Sequence, residues 1–138
     1  MLKNNQSGMT LIEVIAVIVL ITLIAATVGN KVFTSASKAK ANLNVTKMNS
    51  LKNYLQNYKL EYNNYPSKLD DLVKGGGAAK QNNQPFTPFA SEEDLKDVWG
   101  SPYTYSTENN GRSFVLKSMG EDGAPGGEGV NQDVEVKP

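Results

Sequence analysis

Residues 7–14 read Ser7-Gly8-Met9-Thr10-Leu11-Ile12-Glu13-Val14, and an apolar run continues from there to Val28. A short polar leader with one cation, Lys3, precedes the run, and Glu13 is the only charged residue within it. An ordinary secretory signal has the opposite order, because its apolar region precedes the cleavage site and is discarded. A cut at Gly8 would instead leave the apolar segment on the mature chain, so we expect that segment to be a permanent part of the protein.

The apolar run has the length of a membrane-spanning helix. Its 18 residues, Leu11–Val28, would extend about 27 Å at about 1.5 Å per residue, close to a hydrocarbon core of about 30 Å. A carboxylate at the centre of such a helix costs about 2.5–3.5 kcal/mol on insertion scales. Glu13 is therefore expected near the helix end or beside a cation.

The junction resembles the leader of type IV pilins and pseudopilins, through the motif from Gly8 to Glu13 and the apolar run after it. The resemblance implies that a prepilin peptidase cuts between Gly8 and Met9 and that the new amino group of Met9 is methylated. The sequence departs from the family at Met9, where phenylalanine is usual. The alternative reading is a plain N-terminal membrane anchor that happens to contain a glutamate.

Composition excludes several classes of function. The 138 residues contain no cysteine and no histidine, and 14 cations balance 14 anions. Thiol nucleophiles, Ser-His triads and the commonest zinc sites are therefore unavailable, and no paired-carboxylate cleft is apparent, so we expect no enzyme. The balanced charge gives no support for a nucleic-acid partner. A small core without disulfides usually depends on a metal or on assembly.

An amphipathic helix is predicted from Lys31 to Tyr62. Apolar residues recur there at spacings of three and four, which makes one stripe that should pack on a sheet: Met48, Leu51, Leu55, Tyr58 and Tyr62. Gly29-Asn30 precedes this helix and weakens it, since glycine costs about 1 kcal/mol relative to alanine, so local melting is expected there. Pro66 and its preceding residue end the helix.

The rest of the chain predicts short helices, a loop and a small sheet. Ser67 should cap a helix over Lys68–Val73, a mobile loop should follow from Gly75 to Pro88, and Ser91 with Asp94 gives a weak capping signal. Strand-forming runs at 103–107 and 113–117 flank Asn109-Asn110-Gly111, which favours a hairpin, and residues 134–136 could add a third strand. Trp99 is expected to anchor the core, or alternatively to contact another subunit.

These patterns predict an α+β fold in which a long N-terminal α-helix packs on a small antiparallel β-sheet. The expected organisation is a leader at 1–8, a hydrophobic transmembrane or fibre-core helix at 9–30, an amphipathic helix at 31–62 and a C-terminal globular β-region at 63–138.

Three C-terminal motifs sharpen the resemblance to the major pseudopilins of type II secretion systems. They are Asn64-Tyr65-Pro66-Ser67, then Asp97-Val98-Trp99-Gly100-Ser101-Pro102-Tyr103, then Ser118-Met119-Gly120-Glu121-Asp122-Gly123. Val98 replaces a proline of that family, and residues 75–93 are unmatched. The alternative is a subunit of a surface type IV pilus for adhesion, motility or DNA uptake. Missing cysteines argue mildly against it, because many such pilins close a C-terminal disulfide loop.

The resemblance implies a structural subunit that polymerises with itself into a helical periplasmic pseudopilus, which moves secreted proteins outward. It also implies storage in the bacterial inner membrane as a single-pass protein with its C-terminal domain in the periplasm. The implied partners are minor pseudopilins, the prepilin peptidase and the inner-membrane assembly platform. In the low-dielectric core of such a fibre, Glu13 could pair with the Met9 ammonium of a neighbouring subunit. The alternative is a carboxylate at the membrane edge.

The resemblance further implies a Ca²⁺ site in the glycine-rich segment after Ser118. By position, Asp122 and Asp133 would give side-chain oxygens, and Met119 and Asn131 would give backbone oxygens. The residues agree with a hard cation, because Ca²⁺ takes 6–8 oxygen ligands and the glycines allow carbonyls to turn inward. The same composition also suits a solvated flexible loop, and the spacing is not that of an EF-hand.

Overall fold

A computed structural model describes residues 9–81 and 85–138. The predicted leader, residues 1–8 with Gly8, lies outside the described residues. The chain divides into two compact units, Met1–Ala36 and Ser37–Pro138. One helix, α1 (Leu11–Tyr62), contributes residues to both units.

Helix α1 is continuous over its 52 residues. It begins after Thr10, whose carbonyl accepts hydrogen bonds from the N–H groups of Glu13 (3.0 Å) and Val14 (3.2 Å). The backbone stays helical through Gly29 and Asn30, so the local melting expected there is wrong. The helix ends where Asn63 takes a left-handed conformation with φ 61°, a common way for a helix to stop.

The C-terminal unit contains the predicted antiparallel sheet. After α1 come α2 (Asp71–Lys74), α3 (Ala78–Gln81), a 3₁₀ turn (Glu92–Leu95), β1 (Thr104–Glu108), β2 (Ser113–Ser118), a second 3₁₀ turn (Gly129–Asn131) and β3 (Val134–Val136). The strand order is β1-β2-β3, with both pairs antiparallel. The α+β prediction is confirmed, including the third strand.

The predicted hairpin joins β1 and β2. Glu108 pairs with Ser113, and the turn between them places Asn109, Asn110 and Gly111 at φ 52°, 56° and 79°. Asparagine and glycine tolerate this left-handed backbone best, which explains why this triplet gave the clearest turn signal in the sequence.

The core lies between the amphipathic half of α1 and one face of β2. Met48, Leu51, Leu55 and Tyr58 are buried on the helix, and Tyr62 packs at the margin of the same cluster. Side chains on β2 alternate, so that Phe114 and Leu116 face this stripe and are fully buried. The predicted helix-on-sheet packing is confirmed.

The segment between α1 and β1 differs from the prediction. The short helix begins at Asp71 rather than Lys68, because the Ser67 hydroxyl donates to the Asp71 carboxylate (2.9 Å) and closes a turn there instead. The predicted loop contains α3, and the Tyr58 hydroxyl donates to the Gly76 carbonyl (3.1 Å). This hydrogen bond attaches the segment just before α3 to the core.

Replacing Leu51 should test the helix-on-sheet core. Leu51 is fully buried, and such Leu→Ala changes remove about 2–5 kcal/mol of unfolding free energy. Leu60, on the same helix, is 85% exposed, so Leu60→Ala should change stability by less than about 0.5 kcal/mol. Urea unfolding of the full chain in detergent micelles, followed by tyrosine and tryptophan fluorescence, measures both. Equal effects at the two positions would contradict the packing described above.

Candidate functional site

Glu13 lies in the first turn of α1, where its side chain is exposed. The first N–H groups of a helix have no intrahelical acceptor, and a carboxylate beside them gains about 0.3–1 kcal/mol at an exposed position. Met9 lies just before the helix and is also exposed. The structure therefore places Glu13 at a helix end, as expected, with its carboxylate available to a cation from another molecule.

Between Leu11 and Val28, the surface of α1 is apolar apart from Glu13, Thr22 and Thr27. By length and composition, α1 contains a segment that could cross a membrane, and none of that segment is buried within the protein. Among the described residues, the part of α1 in the N-terminal unit exposes fourteen large apolar side chains: Leu11, Ile12, Val14, Ile15, Val17, Ile18, Val19, Leu20, Ile21, Leu23, Ile24, Val28, Val32 and Phe33. Such a surface requires lipid or other helices around it.

The second candidate region is the C-terminal loop, residues 119–133, which connects β2 to β3. The pairing of Ser118 with Val134 closes its base. Inside the loop, the Glu121 N–H donates to the Val130 carbonyl (3.1 Å) and the Asp133 N–H donates to the Gly126 carbonyl (3.2 Å). These bonds bring the two ends of the loop, with Met119 and Asp133, close together.

The predicted ligand Asn131 lies where the two arms of the loop touch. A Cβ added to Gly120 or to Gly127 would lie 2.5 Å from the Asn131 carbonyl oxygen, which is closer than real Cβ atoms come. Both glycines have positive φ, 68° and 84°. The loop therefore requires glycine at these two positions to pack around the Asn131 backbone.

The two predicted carboxylates differ in their surroundings. Oδ1 of Asp133 is buried without a hydrogen-bond partner among the described residues, an arrangement that is unfavourable unless another group satisfies the oxygen. Asp122 is exposed, and its Oδ1 accepts from the Ala124 N–H (3.1 Å). In the described part of the chain, no three His, Cys, Asp or Glu side chains converge. A cation here would thus depend on carbonyl oxygens as well as carboxylates, which fits Ca²⁺.

Sequence reasoning missed Asp97 as a residue of this region. Its carboxylate Oδ1 accepts from the N–H groups of Trp99 (3.0 Å) and Ser101 (2.8 Å). Aspartate side chains often bond to the backbone two residues further along and so form an Asx turn. Asp97, two residues before the Trp-Gly pair, could have been predicted to do so from the sequence. Trp99 is half-buried, and its Nε1 is a buried donor without a partner among the described residues.

Comparison with known families covers nearly the whole chain. A family model described as "Type II secretion system (T2SS), protein G" matches residues 31–137. A second model, "Prokaryotic N-terminal methylation motif", matches residues 3–29, which include the Gly8-Met9 junction.

Curated relatives agree with these matches, and each carries the name type II secretion system core protein G. The protein of Xanthomonas campestris pv. campestris is 38% identical, over 98% of this chain and 92% of its own length. That of Pseudomonas aeruginosa is 33% identical, over 97% and 96%. That of Vibrio cholerae serotype O1 is 30% identical, over 95% and 91%. The chain therefore belongs to the protein G family of type II secretion systems, the major pseudopilins.

Proposed function

We propose that this chain is a structural subunit that polymerises into the periplasmic pseudopilus of a type II secretion system and has no catalytic activity. The apolar surface of α1 between Leu11 and Val28 supports this most directly. That surface suits a lipid bilayer while the subunit is stored and a bundle of identical helices once the fibre forms. Minor pseudopilins and the inner-membrane assembly platform are its further proposed partners.

The proposed storage form crosses the bacterial inner membrane once. Its leader faces a cytoplasmic prepilin peptidase, and the unit Ser37–Pro138 lies in the periplasm. Exposed polar residues dominate the outer surface of that unit, whereas the apolar segment ends before it. The two halves of the chain are thus suited to different environments.

Within the fibre, we assign Glu13 to an ion pair with the Met9 ammonium of a neighbouring subunit. Opposite charges 4 Å apart gain about 4 kcal/mol at an effective dielectric constant of about 20, before desolvation is subtracted. Both groups are exposed at the N-terminal end of the described chain, so they are accessible to a second copy. Pairing would fix the axial register between successive subunits.

We also propose a structural Ca²⁺ in the C-terminal loop. Asp133 and Asp122 would hold it by their carboxylates, and Met119 and Asn131 by backbone oxygens. Oδ1 of Asp133, which is buried without a partner among the described residues, supports this assignment. The bound cation would supply positive charge that satisfies the buried carboxylate and ties the two arms of the loop together.

Deletion of the gene in its native bacterium tests the proposed function. Proteins normally released into the medium should accumulate in the cell envelope, and a plasmid copy should restore their release. Unchanged secretion together with loss of surface pili would overturn the proposal in favour of a surface type IV pilus subunit.

Gly8→Val should block processing of the precursor. A small residue lets the backbone approach a peptidase closely, so we expect the variant to stay in the membrane at full length and to fail to restore secretion. Mass spectrometry of the membrane fraction gives the N-terminus, and Ser7→Ala serves as the control that is still cut. A mature protein that begins anywhere other than Met9 would contradict the assigned cleavage site.

A further inference from the structure

A buried polar network connects α1 to the base of the C-terminal loop. Asn44 of α1 donates from Nδ2 to Ser118 Oγ (2.9 Å), and the Tyr103 hydroxyl donates to Asn44 Oδ1 (3.0 Å). The Ser118 hydroxyl donates in turn to Asp97 Oδ2 (3.5 Å). These four residues, the Asp97 network, are all buried.

Each residue of the network donates a hydrogen bond to the next, from Tyr103 to Asn44 to Ser118, and the last acceptor is the Asp97 carboxylate. Burial, together with the charge of Asp97, raises the pKa of Tyr103, so its hydroxyl keeps the proton that it donates to Asn44. That bond orients the Asn44 amide with its NH₂ group toward Ser118. The Ser118 hydroxyl accepts from Asn44 and is then left to donate to Asp97, its acceptor among the described residues.

Asp97 has no cationic partner that would explain its burial. It is only 4% exposed, and no ion pair in the described ranges, 9–81 and 85–138, involves it. A buried carboxylate without a cation is unfavourable unless its hydrogen bonds are specific and complete. Among the described residues, the side-chain bonds that it accepts come from Ser118 and from the turn 97–101.

Both groups of bonds lead to the C-terminal loop. Ser118 directly precedes Met119 and pairs with Val134, which directly follows Asp133. Ser101 faces the segment after Asp122, where a Cβ built on Gly123 would stand 3.9 Å from Ser101 Oγ. One carboxylate therefore bonds to Ser118 at the base of the loop and to the turn 97–101, which faces the segment after Asp122.

We propose that Asp97 is a positioning residue for the C-terminal loop and sets its affinity for Ca²⁺ without contacting the ion. The inference rests on the calcium site proposed above. Groups that orient metal ligands from outside the coordination sphere typically change metal affinity by about 10–100-fold when they are replaced. Asp97→Asn keeps the size of the side chain but replaces one carboxylate oxygen with an NH₂ group. Either the Ser118 hydroxyl or the N–H groups of the turn then lose their acceptor. Ser118→Ala removes only the connecting hydroxyl.

Calcium titration of the full-length chain in detergent micelles tests this proposal. Asp97→Asn and Ser118→Ala should each raise the Ca²⁺ Kd by about 10–100-fold. The matched control is Asp94→Asn, three residues earlier. Among the described residues, the Asp94 carboxylate accepts bonds from the nearby Ser91 N–H (2.9 Å) and hydroxyl (2.7 Å). Its loss should therefore change the Kd by less than about twofold.

Terbium luminescence separates positioning from simple destabilisation. Tb³⁺ replaces Ca²⁺ in oxygen sites, and its lifetimes in H₂O and D₂O report how many water molecules it binds. A displaced loop should leave more water on the ion in Asp97→Asn and Ser118→Ala than in the unmutated chain and in Asp94→Asn. Weaker binding with an unchanged number of waters would overturn the positioning role.

The remaining outcomes are also decisive. If the unmutated chain does not bind Ca²⁺, both the calcium site and this inference are wrong. If it binds Ca²⁺ and both variants bind equally well, only the inference is wrong. If Asp97→Asn fails to fold, Ser118→Ala decides the question, because it removes one oxygen atom and leaves the turn bonds of Asp97 in place.

Discussion

The melting temperature of the full chain in detergent micelles should rise by about ten degrees or more when chelator is replaced by millimolar Ca²⁺. A ligand that binds only the folded state stabilises it by about 2.7 kcal/mol at a hundredfold excess over Kd. For a unit of about 100 residues, each kcal/mol shifts the melting temperature by about 4–8 °C. Mg²⁺ should do much less, because it demands a tighter octahedral site and loses its water reluctantly.

Substitutions in the C-terminal loop test which residues cause the rise in melting temperature with Ca²⁺. Asp133→Ala removes the buried carboxylate oxygen that has no partner among the described residues, and Asp122→Ala removes the exposed carboxylate. Both substitutions should abolish most of the shift. Glu128→Ala is the control, since this exposed glutamate lies in the same loop. If the unmutated chain melts at the same temperature in chelator and in Ca²⁺, the calcium site is refuted. The helix-on-sheet core would then stabilise the unit without a metal.

Glu13→Val should abolish efficient fibre assembly while leaving membrane insertion and cleavage intact. The substitution removes the carboxylate that we pair with Met9 of a neighbour, and it also removes a charge that hydrocarbon disfavours by about 2.5–3.5 kcal/mol at a helix centre. Insertion should therefore not suffer. The measurement is the amount of sheared fibre per cell, with the membrane-bound mature chain quantified in parallel.

Thr22→Val is the matched control for Glu13→Val. It lies in the same apolar segment, and its hydroxyl donates only within the helix, to the carbonyls of Ile18 (3.0 Å) and Val19 (2.8 Å). Fibre yield should stay near that of the unmutated chain. Normal yield from Glu13→Val as well would refute the pairing of Glu13 with Met9.

Local patterns were enough to predict the parts of the fold that depend on periodicity or on turn chemistry. The stripe from Met48 to Tyr58 is the core face of α1 because helical spacing alone places those residues on one side. Asn109-Asn110-Gly111 joins two strands because few other triplets tolerate the backbone that it adopts. The resemblances to pilins and to the major pseudopilins also depended on short motifs of consecutive residues.

Features that depend on tertiary contacts were not predictable. Residues 75–81 looked like a loop, but Tyr58 attaches Gly76 to the core. Gly29-Asn30 looked like a break, yet the backbone is helical through both. The Asp97 network was missed because its members, Asn44, Asp97, Tyr103 and Ser118, are far apart in sequence and meet only once the sheet and α1 are packed.

An electron cryomicroscopy reconstruction of fibres sheared from cells tests the proposed assembly most directly. We predict a helical fibre whose axis is formed by the segments Leu11–Val28 of successive copies. The amino group of Met9 in one copy should lie within hydrogen-bonding distance of the Glu13 carboxylate of a neighbour. A fibre whose axis is formed by the units Ser37–Pro138, or one in which Glu13 faces away from every amino terminus, would contradict the account.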